Sequence, residues 1–359
     1  MTTIKDIARE ANVSTGTVDR VINKRGGVSP KTEERIKKII KQKNFKINLI
    51  ASSLAMKKHH NLNLAMLIPA FDDDNLFWKS PYSGIQKAKQ EVSAHGVETS
   101  TFIFDQFDPK SYKEAFERLI KTSPDAVVLV PIFIKETHEI VAELNEREIP
   151  FLFFNVNIEG FNNISYIGQK SFAAGALSAQ LLELCTDAND ELLIVQTRKN
   201  LENYRAISQR VVGFKDYFEK KKAKRNIHQL EFDNLIDLEK TKFKINAYLK
   251  ENKAINGLLV PSSRISNVTS LIEDEYLDRL RLIGFDTTPQ NVESVKEGRI
   301  TFLISQKSFN QGYKSVISMS NYLIYKEKPR QEMATPLEII TKENVAFSQF
   351  DKRRYFNEQ

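Results

Sequence analysis

The chain has 359 residues, 41% of them hydrophobic, and a formal net charge of +7, which is enough for two or three domains at about 100–200 residues each. Its single cysteine, Cys185, excludes an internal disulfide framework, and no run of about 18 apolar residues offers a membrane span. Residues 1–10 lack the apolar stretch of a secretion signal, so a reducing, cytoplasmic setting with no membrane partner is expected. The charge is unevenly spread: residues 1–60 carry 14 Lys and Arg against 5 Asp and Glu, a net +9, and the remainder stands at −2. A short basic module ahead of a long, nearly neutral one suits a polyanion such as DNA or RNA, because neutralised phosphates release condensed counterions.

In chain order, Ile4, Ile7, Ala8 and Ala11 have helical spacing, and Val18, Val21 and Ile22 repeat it after a break at Asn12-Val13-Ser14. Ser14 can cap the second helix, and Ser29-Pro30 opens a third that buries Ile36, Ile39 and Ile40. Three helices in about 45 residues make a minimal bundle of the helix-turn-helix type. From Leu62 the pattern alternates, with strands predicted at 62–70, 101–104, 126–131 and 151–155 and helices at about 79–94, 110–121 and 135–147. A second series has strands near 164–168, 191–196, 229–232, 257–261 and 280–286, with helices such as 171–184 and 205–221. Repeated βα units imply mainly parallel sheets, ligands at the carboxyl ends of the strands, and two lobes with a cleft between them.

Catalysis has no sequence basis: there is no GxSxG, P-loop, Rossmann fingerprint or HExxH, and the five histidines show no metal spacing. Neither a cofactor nor a metal is expected. Asp72-Asp73-Asp74 lacks the calcium-loop pattern and reads as a solvated loop, and the Lys220–Lys222 run reads as a solvated helix end.

Residues 3–23 (TIKDIAREANVSTGTVDRVIN), 28–36 (VSPKTEERI) and 45–54 (FKINLIASSL) resemble, without a gap, the DNA-binding end of the LacI/GalR family. The resemblance implies a homodimeric bacterial transcription factor on a near-palindromic operator of double-stranded DNA, controlled by a small molecule. It places Thr15, Gly16 and Arg20 at the major groove, where Arg20 can grip a guanine edge for about 1–3 kcal/mol of discrimination. Gly16 offers no side chain where the family usually reads a base, and Asp19 stands where serine is usual. Ser14, Thr17, Asn23, Ser29 and Thr32 match phosphate-holding positions, and Asn48, Ala51 and Leu54 match the family's hinge helix, with Leu54 as the wedge that unstacks a minor-groove step. Ile47 replaces the usual proline before the hinge asparagine.

Residues 61–359 resemble sugar-binding proteins of the ribose-binding type, on the segments Asn75-Leu-Phe-Trp78, Arg210-Val-Val-Gly-Phe214, Ile283-Gly-Phe-Asp286 and Ile304-Ser-Gln306. This implies a ligand cleft holding Asn75, Phe77, Trp78, Asn155, Arg210, Ser263, Asp286 and Gln306. Asn155 stands in place of an aspartate, and Ser262-Ser263-Arg264 in place of an Asn-Asp pair, so a sugar acid or sugar phosphate fits the cleft better than in a neutral-sugar binder. The expected fold is an all-α helix-turn-helix domain (1–47), a hinge helix and linker (48–60), and an α/β two-lobed periplasmic-binding-protein-like (type I) domain with parallel sheets (61–359). Its N-lobe is expected at about 61–158 and 308–331, and its C-lobe at about 159–307 and 332–359. The expected function is a repressor of carbohydrate-uptake or catabolic genes with a sugar-like effector. The alternative, a solute-binding receptor with a basic N-terminus, sits poorly with the gapless N-terminal match.

Overall fold

The computed structural model describes residues 4–22, 26–43, 61–71, 76–198, 205–222, 225–233, 235 and 237–348. The chain divides into two compact units, residues 1–59 and 60–359.

In the first unit, helices α1 (Ile4–Glu10), α2 (Thr15–Ile22) and α3 (Pro30–Gln42) close around Ile7, Ala11, Val18, Val21, Ile36 and Ile39. These are the positions the helical spacing marked. Asn12 adopts a φ of 50°, a left-handed turn that asparagine tolerates and that lets the chain reverse between α1 and α2. Ser14 then starts α2 by accepting from the Thr17 amide at 3.1 Å, and Ser29 starts α3 by accepting from the Thr32 amide at 3.4 Å. An ion pair of 2.8 Å from Lys43 to Glu10 ties the end of the bundle to α1.

The second unit has β1 (Leu62–Pro69), β2 (Val97–Phe104), β3 (Ala126–Leu129), β4 (Phe151–Phe154), β5 (Tyr166–Gly168), β6 (Glu191–Gln196), β7 (Ile227–Glu231), β8 (Ile255–Leu259), β9 (Arg281–Phe285), β10 (Phe302–Ser305), β11 (Glu332–Ala334) and β12 (Glu338–Ile340). They form two six-stranded sheets of matching plan, β11-β5-β4-β3-β1-β2 and β12-β10-β9-β8-β6-β7. All pairings are parallel except β10 with β12. Parallel strands are covered on both faces, which is why Ala126–Leu129 and Phe151–Phe154 are continuous apolar runs and fully buried.

Each lobe also has a closely packed helix pair. In the first, a Cβ on Gly84 of the helix Lys79–Ser93 would lie 2.1 Å from the Phe309 carbonyl of the helix Ser308–Tyr325, and one on Gly312 2.1 Å from the Pro81 carbonyl. In the second, a Cβ on Gly175 of the helix Ser171–Cys185 would lie 1.9 Å from the Arg210 carbonyl of the helix Arg205–Lys220, and one on Gly213 2.0 Å from the Phe172 carbonyl.

The lobe boundaries differ from the sequence expectation. β5 pairs with β4 and β11, so the first lobe runs on to Gly168 and takes back residues 332–334, instead of ending at 158 and 331. The chain passes between lobes three times, at 169–170, 306–307 and 335–337. Strands of three residues carry too little periodicity to be assigned to a sheet from sequence.

Candidate functional site

Ser14, Thr15, Gly16 and Arg20 are exposed at and along α2, Ser29 is exposed at the start of α3, and Thr17 and Thr32 are half-buried. The two caps are reinforced side chain to side chain, Ser14 to Thr17 at 2.9 Å and Ser29 to Thr32 at 2.8 Å. A Cβ on Gly16 would meet nothing nearer than Ser14 Oγ at 3.7 Å, so the backbone at the start of α2 is open to close approach. Asn23, Asn48, Ala51 and Leu54 lie outside the described residues.

In the second unit, Phe77, Trp78, Asn155, Arg210, Ser263, Asp286 and Gln306 all line one cleft between the lobes, and Asn75 lies outside the described residues. The cleft is open to solvent, with about 750 Å³ of empty space when its mouth is included. Its first-lobe wall is aromatic. Trp78 is 5% exposed, its indole N–H donates to Gln106 Oε1 at 3.2 Å, and Phe77 meets it edge-on at 4.9 Å between ring centroids. Rings held in this way offer a flat apolar contact at little further entropy cost.

The second-lobe wall is charged. Arg210 is 4% exposed. Its Nη1 donates to the Pro261 carbonyl at 2.8 Å and its guanidinium lies 3.9 Å over the Phe285 ring. With its amide oxygen turned toward the guanidinium, Gln169 accepts from Arg210 Nε at 3.2 Å and from Nη2. Asp286 accepts from Gln306 Nε2 at 2.7 Å. Burial pushes the Asp286 carboxyl up to about 6, against the pull of Arg210 and Gln306, and burial lowers Arg210 to about 10, with Asp286 opposing. Asp286 is not a helix cap: Thr288 caps Pro289–Lys296 by accepting from the Asn291 amide at 3.4 Å. Ser263 is fixed through its carbonyl, which accepts from Asn291 Nδ2 at 2.8 Å. Arg264 occupies the N-cap position of the short helix Ile265–Thr269 and lines the cleft at the same time.

Asn155 and Asp286 are counterparts, each following the matching strand of its sheet, with φ of 66° and 68°. Asparagine and aspartate are the non-glycine residues that visit this left-handed region most readily. Asn155 Nδ2 donates to Gln311 Oε1 at 3.0 Å, and Gln311 Nε2 donates to the Gln306 carbonyl at 2.9 Å and to Thr335 Oγ1 at 3.4 Å. The Tyr166 hydroxyl donates to the carbonyls of Asn155 and Gln169 at 3.2 and 3.1 Å. These bonds knit together residues from all three lobe crossings beneath the cleft.

Sequence reasoning missed Gln169, Gln311 and Thr335, and on the cleft wall Arg198 and Arg205. Arg198 spans the cleft, its guanidinium 3.7 Å over the Phe107 ring of the first lobe. Among the described residues no cluster of three His, Cys, Asp or Glu side chains could hold a metal, and no helix is long and apolar enough to cross a membrane.

Comparison with known proteins bears on both units. Residues 64–327 match the periplasmic binding protein domain family, and residues 3–48 match the bacterial regulatory proteins of the lacI family. Among curated proteins, catabolite control protein A of Staphylococcus xylosus is 28% identical over 165 residues, covering 45% of this chain and 47% of that one. Catabolite control protein A of Staphylococcus epidermidis is 30% identical over 148 residues, covering 41% and 42%. The chain thus spans about half the length of the curated relatives it matches. Among solved structures, a Bacteroides fragilis protein assigned as a LacI transcriptional regulator superposes with a TM-score of 0.71 at 24% identity, over 80% of this chain and 100% of that one. At that identity the likeness bears on the fold alone. The chain belongs to the periplasmic binding protein domain family and carries the lacI-family regulatory module at its N-terminus.

Proposed function

We propose that the chain is a sequence-specific DNA-binding regulator, a repressor of genes for carbohydrate uptake or catabolism, whose DNA affinity is set by a sugar-like small molecule bound between the lobes. The observation that carries this reading is the pairing, in one chain, of a lacI-type helix-turn-helix with a cleft that sets an aromatic wall against Arg210 and Asp286. The matched relatives named as catabolite control proteins point the same way. The reading assigns binding and lobe closure to the cleft and no catalytic step, and it places the protein in the cytoplasm as a homodimer on a near-palindromic operator.

Thr15 and Arg20 would read bases in the major groove, with Gly16 allowing close backbone approach. Ser14, Thr17, Asn23, Ser29 and Thr32 would hold phosphates, and Asn48, Ala51 and Leu54 would form the hinge in the minor groove. Asn75, Phe77, Trp78, Asn155, Arg210, Ser263, Asp286 and Gln306 would hold the effector. Only contacts that differ between open and closed lobes can shift the equilibrium, and operator and effector must then alter each other's affinity by the same factor.

The test is duplex selection on the full chain followed by titration across salt. A single near-palindromic site is expected, with affinity falling steeply as salt rises. Arg20→Ala should relax one symmetric base position at a cost of about 1–3 kcal/mol. Equal affinity for all duplexes at physiological salt rejects the reading.

A further inference from the structure

Gln311 is fully buried in the helix Ser308–Tyr325, where an amide side chain needs partners at both of its ends. Its Nε2 donates to the main-chain carbonyl of Gln306 at 2.9 Å and to Thr335 Oγ1 at 3.4 Å, at two of the lobe crossings. A main-chain carbonyl can only accept, so the Gln311 amide cannot turn over without setting its own oxygen against that of Gln306. Oε1 therefore faces Asn155, and Asn155 must meet it with Nδ2, as it does at 3.0 Å.

The consequence lies at the other edge of the Asn155 amide. Asn155 lines the cleft, is 7% exposed, and is held through its backbone by Ile167 and by the Tyr166 hydroxyl. With Nδ2 committed to Gln311, the side chain has Oδ1 left, and none of the described residues donates to it. Oδ1 is not sealed within the protein either. The hollow beside the cleft shares Asn155, Val156, Arg205 and Ala206 with it, so the open space is continuous at this residue.

We propose that Gln311 is a positioning residue that determines specificity: by fixing which way the Asn155 amide points, it turns an acceptor oxygen to the ligand and selects an effector with a donating hydroxyl there. This rests on the reading of the cleft as the effector site. A group that only accepts is refused at this point, because it leaves a nearly buried amide oxygen without a donor. An asparagine free to turn takes either kind of group, since its amide offers donors at one edge and an acceptor at the other.

The test is calorimetry on the full chain with glucose, galactose, mannose, ribose and arabinose, and with the monodeoxyfluoro derivatives of each sugar that binds. Carbon-bound fluorine cannot donate, so at the ring position facing Asn155 it should weaken binding at least about tenfold. Asn155→Gly should bring the difference at that position below about threefold and leave the differences at other positions, which assigns the position to Asn155. Gln311→Met, which fills similar space without an amide, should also bring that one difference below about threefold.

Fluoro sugars that bind as well as their parent at every position overturn the proposal without any variant of Gln311. So does a set of differences that Asn155→Gly leaves unaltered, or a Gln311→Met protein that keeps the full difference at the Asn155 position. In each of these cases binding that is weakened by Trp78→Ala keeps the cleft as the effector site, whereas binding indifferent to Trp78→Ala and to Asn155→Gly rejects it. No binding by any of the five sugars rejects both proposals.

Discussion

The two lobes follow one plan and differ in what they place at the same point of it. Asn155 and Asp286 follow equivalent strands and share the same left-handed backbone, and their amides donate to Ile167 at 2.9 Å and to Ile304 at 3.1 Å, on the equivalent neighbouring strands. Yet the first lobe puts a neutral amide there, bonded to Gln311, beside a wall of Phe77 and Trp78, whereas the second puts a carboxylate there beside Arg210. The duplicated scaffold supplies the geometry, and a few side-chain differences turn it into an apolar jaw and a charged jaw.

The comparison can be broken most severely at Arg210. Arg210→Ala leaves Asp286 buried without its opposing charge, and denaturant unfolding should show a loss of about 3–5 kcal/mol. A loss under 1 kcal/mol would mean that the charged jaw is no more than a variant of the neutral one.

The next largest effect is a dependence on pH. Burial raises Asp286 from its ordinary value of 3.8 to about 6, so between those values the folded protein binds a proton that the unfolded chain does not. The stabilising contribution is therefore fully present below about pH 4 and lost as pH rises through about 6, a difference of about 3 kcal/mol. Unfolding measured from pH 4 to 8 should show this slope, and Asp286→Asn should flatten it whatever its overall stability. An Asn155 variant should leave the slope intact.

A smaller loss is expected on the neutral side. Asn155→Gly keeps the backbone conformation but leaves the Gln311 acceptor without its donor, costing about 1–2 kcal/mol. Smaller again is Thr288→Ala, which removes the cap behind the charged jaw for about 1 kcal/mol in thermal unfolding and should leave the affinity for any effector unchanged. A change in affinity there would mean that the helix Pro289–Lys296 helps to position Asp286.

Much of this architecture is legible in the sequence, where the local signal is long enough. The helical spacing of Ile7, Ala11, Val18 and Val21 marks the buried side of the first two helices, and the apolar runs of β1, β3 and β4 announce strands buried on both faces. Phe77, Trp78, Arg210, Asp286 and Gln306 were reached through resemblance, and the fold brings them to one cleft.

The lobe crossings were illegible for a physical reason. β5, β11 and β12 have three residues each, and their sheet membership is decided by partners far away in the chain. Gln169, Gln311 and Thr335 are polar residues that earn burial only through one another, a condition no single stretch of sequence displays. Arg198 and Arg205 flank a connection between a strand and a helix, where charged residues normally signify solvent.

The crossing at Gly175 has a genetic consequence. A side chain there would be driven into the carbonyl of Arg210, so the helix bearing the cleft's buried cation could keep its place only while that position remained bare. Under the proposed regulatory function, a screen for variants that no longer respond to the effector should return substitutions at Gly175 alongside those of Arg210 itself, although glycine has no side chain with which to touch a ligand. Read without the structure, such an allele would suggest a second regulatory locus; its phenotype would instead be that of a displaced arginine.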